Sequence, residues 1–140
     1  MECSTTQELY DKNIYTIDKN EYGHVIFILK EIIPGKISKE GRDLFIQHTI
    51  NIVNESLKIS KLYNKTTAYA HIYLNDCSFK HFSLSLIKKI THILSTTFED
   101  TLETMYIYSN SKLFSRLWNI TKHFIDKDTL VKIKQIKIEL

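Results

Sequence analysis

Apolar positions along the chain follow two patterns, short continuous runs and longer stretches with a helical repeat. Residues 25–29 are a continuous apolar run of strand length, which is typical of a strand covered on both faces. Between residues 42 and 62 apolar side chains recur with a helical period, which predicts a helix. A polar loop follows, and the aromatic and branched residues at 68–74 predict a second strand.

The second half of the chain continues this alternation. The pattern predicts helices at 83–98 and 112–124, with a strand at 105–108 between them. Asp126 can cap a short helical turn, and residues 133–140 predict a further strand. Strands that alternate with helices at this spacing indicate the α/β class. We expect a three-layer α/β/α arrangement with a mixed, mostly parallel sheet of four to five strands.

The N-terminal segment, residues 1–22, is polar and weakly patterned, so we expect an arm or a weak first strand there. Residues 20–23, with the sequence Asn-Glu-Tyr-Gly, are a turn signal ahead of the run at 25–29. Neither an internal repeat nor a linker divides the chain. Residues 1–140 are therefore interpreted as a single domain, which is long enough to bury one sizeable core.

Charge and cysteine content narrow the partners and the compartment. The chain has 19 basic and 16 acidic side chains and a net charge of +3, a balance that predicts no nucleic-acid partner. Cys3 and Cys77 are too few for a disulfide scaffold or a zinc site and fit a reducing compartment. No secretory signal is visible, and no apolar stretch approaches the ~20 residues of a membrane span. We expect a cytoplasmic location, with peripheral contact with membranes.

The motifs of common enzyme classes are missing from the sequence. There is no nucleophile elbow, no phosphate-binding loop and no dinucleotide fingerprint, and the three glycines all precede residue 42. The six histidines show no spacing suited to a metal site, and His71 fits a satisfied sheet residue better than a ligand. We therefore expect no enzymatic activity, no cofactor and no metal.

The predicted helix at 112–124 has more apolar surface than a helix needs to pack on a sheet. One apolar stripe is enough for that purpose. Here there are two adjacent apolar stripes. The first carries Leu113, Leu117, Ile120 and Phe124, and the second carries Phe114, Trp118 and Ile125. The second stripe is either ordinary core, or the wall of a cavity for a hydrophobic ligand, or an interface for another protein.

A collinear series of short motifs between residues 72 and 136 resembles the CRAL-TRIO family of lipid-binding domains. The second strand ends in Leu-Asn-Asp, the next strand is Met-Tyr-Ile-Tyr, and the following helix begins Leu-Phe-Ser-Arg-Leu-Trp. Phe-Ile-Asp and Lys-Ile complete the series, and residues 14–33 are similar to the family's opening strand. The similarity covers about residues 14–138, and the order of the motifs carries it.

The chain also departs from the family pattern. Phe98-Glu99-Asp100-Thr101 and Ser109-Asn110-Ser111 stand where the family has proline-containing steps. Lys89 appears at the position of a glutamate in phosphoinositide-binding members, whereas Lys132 matches the head-group lysine. We expect no helical N-terminal subdomain before the lobe. This minimal form is similar to the BCH-type branch, which is associated with small GTPases and their regulators.

The resemblance implies non-catalytic binding, and transfer, of a hydrophobic ligand such as a lipid, between the sheet and helix 112–124. That helix would be the gate, and Lys132 would meet the head group. The residues expected to line the cavity are Leu74, Phe79, Phe82, Leu86, Ile90, Ile107, Phe114, Leu117, Trp118 and Phe124. The alternative is a protein-interaction scaffold or homo-oligomer subunit that has lost the cavity, such as a BCH-like module for small GTPases or their regulators.

Overall fold

Helices and strands alternate through most of the chain. The structure is a computed structural model that describes residues 6–138. Its elements are α1 Thr6–Asn13, β1 Ile14–Lys19, β2 Tyr22–Ile28, α2 Lys39–Leu62, β3 Ala68–Tyr73, α3 Leu84–Thr97, β4 Leu102–Ser109, α4 Ser111–Thr121, α5 Lys127–Leu130 and β5 Ile133–Lys137, with 3₁₀ turns at Pro34–Lys36 and Phe79–His81.

The five strands form one sheet in the order β1-β2-β3-β4-β5. β1 is antiparallel to β2, and every other neighbouring pair is parallel. The predicted α/β class and the mixed, mostly parallel sheet are confirmed.

The helices of the described residues lie on one face of this sheet. Each parallel connection steps to the next strand in the same direction, and such connections are almost always right-handed, so their helices share a face. Side chains of α2, α3 and α4 accordingly enclose one cavity with the same face of the strands. Over residues 6–138 the arrangement is therefore two layers, without the outer helical layer of the three-layer prediction.

The expected arm at 1–22 is structured over the part that is described. Its weak first strand is confirmed as β1, while α1 ahead of it was not predicted. The first five residues, which include Cys3, lie outside the described residues. Asn20 and Glu21 have φ values of 54° and 67°, the backbone of a tight two-residue hairpin turn, so the predicted turn is confirmed.

Capping residues set the bounds of the longer helices. Ser38 caps α2 by accepting the Gly41 amide at 3.1 Å, so this helix begins three residues before the predicted position 42. Ser83 caps α3, which matches the predicted helix within a residue. The helix predicted at 112–124 is shorter, because α4 ends at Thr121. The turn capped by Asp126 is confirmed as α5, and the last two residues of the predicted final strand lie outside the described residues.

The long helix α2 lies directly on β1, β2 and β3. Small polar residues make this approach close, since Thr49, Ser56 and Ser60 are almost completely buried beneath it. The Gly23 amide donates to the Ser60 hydroxyl at 2.9 Å, and a Cβ atom at Gly23 would overlap the backbone of Ser56. A glycine is therefore required where the helix crosses β2.

Candidate functional site

A cavity of about 620 Å³ lies between the sheet and the helices α3 and α4. α3, unlike α2, makes few close backbone contacts with the strands, so space remains between α3 and the sheet. The floor consists of rows of side chains in register across the sheet, among them Val25-Ala70-Met105 and Phe27-Ile72-Ile107. Ala70 and Ala68 have the smallest side chains of this floor, so the middle strand leaves open space beneath the helices.

The roof of the cavity is built by the apolar faces of α3 and α4. From α4, Phe114, Leu117 and Trp118 face the interior, and the Phe114 and Trp118 rings stack with their centroids 5.7 Å apart. α3 adds the row Leu86, Ile87, Ile90 and Leu94. Asn110 starts α4 by accepting the Leu113 amide at 2.8 Å, and Leu113 is buried. One stripe of α4 thus anchors the helix through Leu113, while Phe114 and Trp118 on the other face the cavity.

The cavity end near the carboxyl ends of the strands is apolar and is bordered by a loop that hydrogen bonds hold in place. Leu74 and Phe82 line it, together with the buried ring of His81. Nδ1 of His81 accepts the Ser78 amide at 2.9 Å, so Nε2 carries the hydrogen and donates to the Lys30 carbonyl at 2.8 Å. His81 therefore fastens the loop after β3 to the loop after β2.

The opposite end of the cavity, near the amino ends of β4 and β5, is polar. Its lining residues with charged side chains are Glu99, Asp100, Asp126, Asp128 and Lys132. The Thr129 hydroxyl donates to the Asp126 carboxylate at 2.8 Å. That bond, together with the positive charge of Lys132, holds the pKa of Asp126 below its ordinary value.

A second polar arrangement lies on the face of the sheet away from the cavity. His24 Nε2 lies 2.9 Å from the Lys19 carbonyl, His24 Nδ1 lies 2.9 Å from His71 Nε2, and His71 Nδ1 lies 2.8 Å from the Tyr108 hydroxyl. A carbonyl only accepts, so His24 donates from Nε2, His71 donates to His24, and Tyr108 donates to His71. His71 is a satisfied sheet residue, as expected. Burial, with His24 and Lys19 beside it, lowers the pKa of His71 to about 4.

The sequence model of the CRAL/TRIO domain family matches residues 12–139, nearly the whole chain. The chain belongs to the CRAL/TRIO domain family. The family prediction is confirmed, while the narrower likeness to the BCH-type branch stays a prediction.

Two relatives of this CRAL/TRIO domain are informative. It is 23% identical over 145 residues to the phosphatidylinositol/phosphatidylcholine transfer protein SFH9 of Arabidopsis thaliana, a match that covers 94% of this chain and 25% of the relative. The crystal structure of Sfh5 superposes with a TM-score of 0.74 at 18% identity, over 96% of this chain and 51% of that one. The chain spans about a quarter of the curated relative and half of the solved structure, and the superposition shows the shared fold.

Within the CRAL/TRIO domain, most of the predicted ligand-binding residues surround the cavity. Leu74, Phe82, Leu86, Ile90, Ile107, Phe114, Leu117, Trp118 and Phe124 line it, as does Lys132 at the polar end. Phe79 does not. Phe79 is 43% exposed, and the Arg116 guanidinium lies 5.1 Å from the centroid of its ring. Ile120, from the first apolar stripe of the predicted gate helix, is 45% exposed and also lies outside the cavity.

Sequence reasoning missed the floor of the cavity and its acidic end. Val25, Phe27, Ala70, Ile72 and Met105 lie on the same face of the sheet as the predicted Ile107. Strand alternation assigns Met105 and Ile107 to one face, but only the pairing register adds β2 and β3. Glu99 and Asp100 at the acidic end are also positions where the chain departs from the family pattern. That departure was the sequence signal that could have indicated this end of the cavity.

Among the described residues, no helix combines the length and the apolar character needed to cross a membrane.

Proposed function

We propose that this CRAL/TRIO domain binds a hydrophobic ligand of the lipid class, without catalysis, in the cavity between the sheet and α4. The observation that carries the proposal is the cavity of about 620 Å³, walled mainly by aliphatic and aromatic side chains. Ligand pockets of proteins fall in the range of roughly 300–1,000 Å³. The name of the Arabidopsis relative, a phospholipid transfer protein, supports the same class of ligand.

Binding would rest on the transfer of apolar surface out of water. A buried methylene group contributes about 0.8 kcal/mol, so an acyl chain in this cavity is stabilised by many small contributions without any polar anchor. Phe114 and Trp118 would form the part of the wall that moves, because they belong to α4, which touches the sheet mainly along β4. In this proposal α4 is the gate, opening at a membrane surface and closing over the ligand.

The direct test is native mass spectrometry of the purified chain after incubation with vesicles of phosphatidylcholine and phosphatidylinositol. We expect one lipid adduct per chain and a blue shift of the Trp118 emission, since Trp118 lines the cavity. Ala70→Phe fills the floor and should abolish both signals. Ile17→Phe places the same ring on the uncovered face of the sheet and should leave both intact.

A chain that stays free of lipid, with unchanged Trp118 emission, would sink this proposal. Equal lipid binding by the Ala70→Phe variant would show that lipid is held elsewhere on the molecule.

A protein-interaction role is the second candidate, and the uncovered face of the sheet favours it. Tyr69, Tyr73, Tyr106 and Tyr108 lie there beside His71, and the Tyr73 and Tyr108 rings are stacked 4.2 Å apart. These side chains are half-buried, and partly exposed aromatic surface of this kind is typical of protein interfaces. Light scattering measures the mass of the chain as a function of its concentration. A mass that rises with concentration, and no longer does so in the Tyr73→Ser variant, would favour self-association through this face. A constant monomer mass would leave only a different protein as the partner of this face.

A further inference from the structure

The two helices that roof the cavity belong to segments that carry cations and no acids. Residues 77–98 include the second 3₁₀ turn and α3, and residues 104–125 include most of β4 and all of α4. Together these segments contain six lysine and arginine side chains and no aspartate or glutamate. The whole chain has a net charge of +3, so the residues outside the two segments together carry −3. The charge of the domain is therefore divided, and the roof is its positive part.

Most of the roof cations lie at one end of the cavity. Five of them are exposed on the 3₁₀ turn and on the first two turns of α3 and α4, namely Lys80, Lys88, Lys89, Lys112 and Arg116. α3 and α4 begin where β3 and β4 end, so these cations border the apolar end of the cavity. The four carboxylates that line the cavity lie at the opposite end.

Exposed apolar side chains stand among these cations. Phe79 is 43% exposed and lies 5.1 Å from the Arg116 guanidinium, so the 3₁₀ turn and α4 share one surface. Leu84, 46% exposed, precedes Lys88 by one turn of α3, and Ile120, 45% exposed, follows Arg116 by one turn of α4. We call this surface the basic face, which consists of Phe79, Lys80, Leu84, Lys88, Lys89, Lys112, Arg116 and Ile120.

The loops beside the basic face do not reverse its charge. His81 donates to the Lys30 carbonyl at 2.8 Å and so holds the loop after β2 nearby, which adds Lys30 and Glu31. Asp76, exposed in the loop after β3, adds a second carboxylate. Two carboxylates stand against the five cations of the basic face and Lys30, so positive charge dominates this end of the domain.

The mixture of cations and apolar side chains selects among anionic partners. A nucleic acid attracts cations to its phosphates but offers no apolar layer for exposed aliphatic side chains. An anionic bilayer offers both, a negative layer of head groups and an apolar boundary a few ångströms deeper. Lysine and arginine interleaved with phenylalanine, leucine and isoleucine fit such an interface.

We infer that the basic face is the surface by which this domain docks on bilayers that contain anionic lipid. Its cations meet the head groups, and Phe79, Leu84 and Ile120 enter the interface. α4 then lies against the bilayer with Phe114 and Trp118 turned away from it, into the cavity. The inference goes beyond the proposed function, because docking on a bilayer requires no ligand in the cavity.

Cosedimentation with sucrose-loaded vesicles is the first test. One set of vesicles is phosphatidylcholine alone, and the other is a three-to-one mixture of phosphatidylcholine and phosphatidylserine. The apparent affinity for the anionic vesicles should be at least about tenfold higher and should fall as sodium chloride is added, because salt screens exposed charges. Equal affinity for the two sets, or no sedimentation with either, overturns the inference.

Matched charge variants test the location. Lys80→Gln, Lys89→Gln and Lys112→Gln together leave the ring contacts of Lys88 and Arg116 intact and should weaken sedimentation with anionic vesicles by at least about tenfold. The control makes the same change in net charge on the other side of the sheet, with Lys19→Gln, Lys65→Gln and Lys134→Gln, and should sediment nearly as the unaltered chain does. Equal weakening in both variants would overturn the inference, since net charge alone would then explain the attraction.

A second pair of variants separates a bilayer from other polyanions. Leu84→Ser with Ile120→Ser should weaken the sedimentation that persists at high salt, whereas Ile17→Ser with Ile136→Ser, on the uncovered face of the sheet, should not. Heparin is the polyanion without an apolar layer, and its binding should be the same in all these serine variants. If the Leu84 and Ile120 substitutions leave vesicle binding unchanged, the basic face recognises charge alone and the inference fails.

The outcomes separate docking from ligand binding. Ala70→Phe fills the cavity floor and leaves the basic face unaltered, so the folded variant should sediment with anionic vesicles although it takes up no lipid. Loss of sedimentation in that folded variant would overturn the inference, because the vesicles would then be held through the cavity. A lipid adduct without a preference for anionic vesicles refutes docking alone, and docking without an adduct refutes the proposed function alone.

Discussion

Single residues decide how close the two layers of the domain come. At Gly23 the backbone of α2 occupies the position that a side chain would need, whereas at Ala70 the missing side-chain volume becomes part of a cavity. Both residues lie in the same sheet and both are small, but the distance from the sheet to the helix above differs. α2 lies close to the sheet at Gly23, whereas α3 and α4 lie farther from it at Ala70. The same device, a small side chain, therefore produces close packing under α2 and open space under α3 and α4.

The first prediction at this scale concerns Gly23. Gly23→Ala should lower the free energy of unfolding by about 1–3 kcal/mol, because its Cβ atom forces α2 away from β2. Gly35→Ala is the matched control, since no atom lies within 4 Å of the corresponding Cβ atom. Urea denaturation of both variants measures the difference. Equal stability of the two would show that α2 can shift at no cost.

The second prediction concerns His71 and pH. Its pKa is lowered to about 4, so the folded state binds this proton less readily than the unfolded state does. The resulting stability is fully present above pH ~6.5 and is lost as the pH falls from there towards about 4. His71→Phe should remove much of this dependence. Denaturation midpoints at pH 7 and pH 4.5 check the prediction, and an equal loss in both proteins would contradict it.

At the scale of elements, the stability of α4 depends on its N-terminal cap more than the stability of α2 does. α2 is 24 residues long and lies on three strands, whereas α4 has 11 residues and covers a cavity. Short helices are marginal without tertiary support, so each stabilising bond at their ends matters more. If α4 acts as the gate, as proposed, its weak anchoring would let it move without disturbing the rest of the fold.

The third prediction follows for Asn110. Asn110→Ala removes the acceptor for the Leu113 amide and should cost about 1 kcal/mol of stability. Ser111→Ala, at the next position, is exposed and makes no cap, so it is the control. Thermal melts followed by circular dichroism measure the cost. An unaffected melting temperature for Asn110→Ala would mean that α4 is held by its apolar side chains alone.

At the scale of the whole molecule, the alternation of strands and helices could be predicted because each apolar period reflects burial that is local to its element. α1 could not, since its eight residues have little apolar pattern and depend on distant partners. The Tyr10 hydroxyl donates to the Gly41 carbonyl at 2.8 Å, and its ring meets Phe45 edge-on. The roof of the cavity could be predicted because the apolar stripes of single helices form it. The floor could not, because its residues come together only through the pairing of strands that are distant in sequence. Phe79 points outward because a 3₁₀ turn, absent from the prediction, carries it.

The position of the cavity under α3 and α4 divides the domain into halves of unequal cohesion. Most of the buried core cluster, including Tyr10, Ile14 and Phe45, lies where α1 and α2 cover β1 and β2. The other half encloses the cavity, so its amide hydrogens should exchange through local opening. The free energy of that opening should be well below the free energy of global unfolding. A ligand would fill that volume and slow exchange mainly in α3 and α4. The empty domain is thus a rigid half joined to a softer one, and occupancy would make the two unfold as a single cooperative unit.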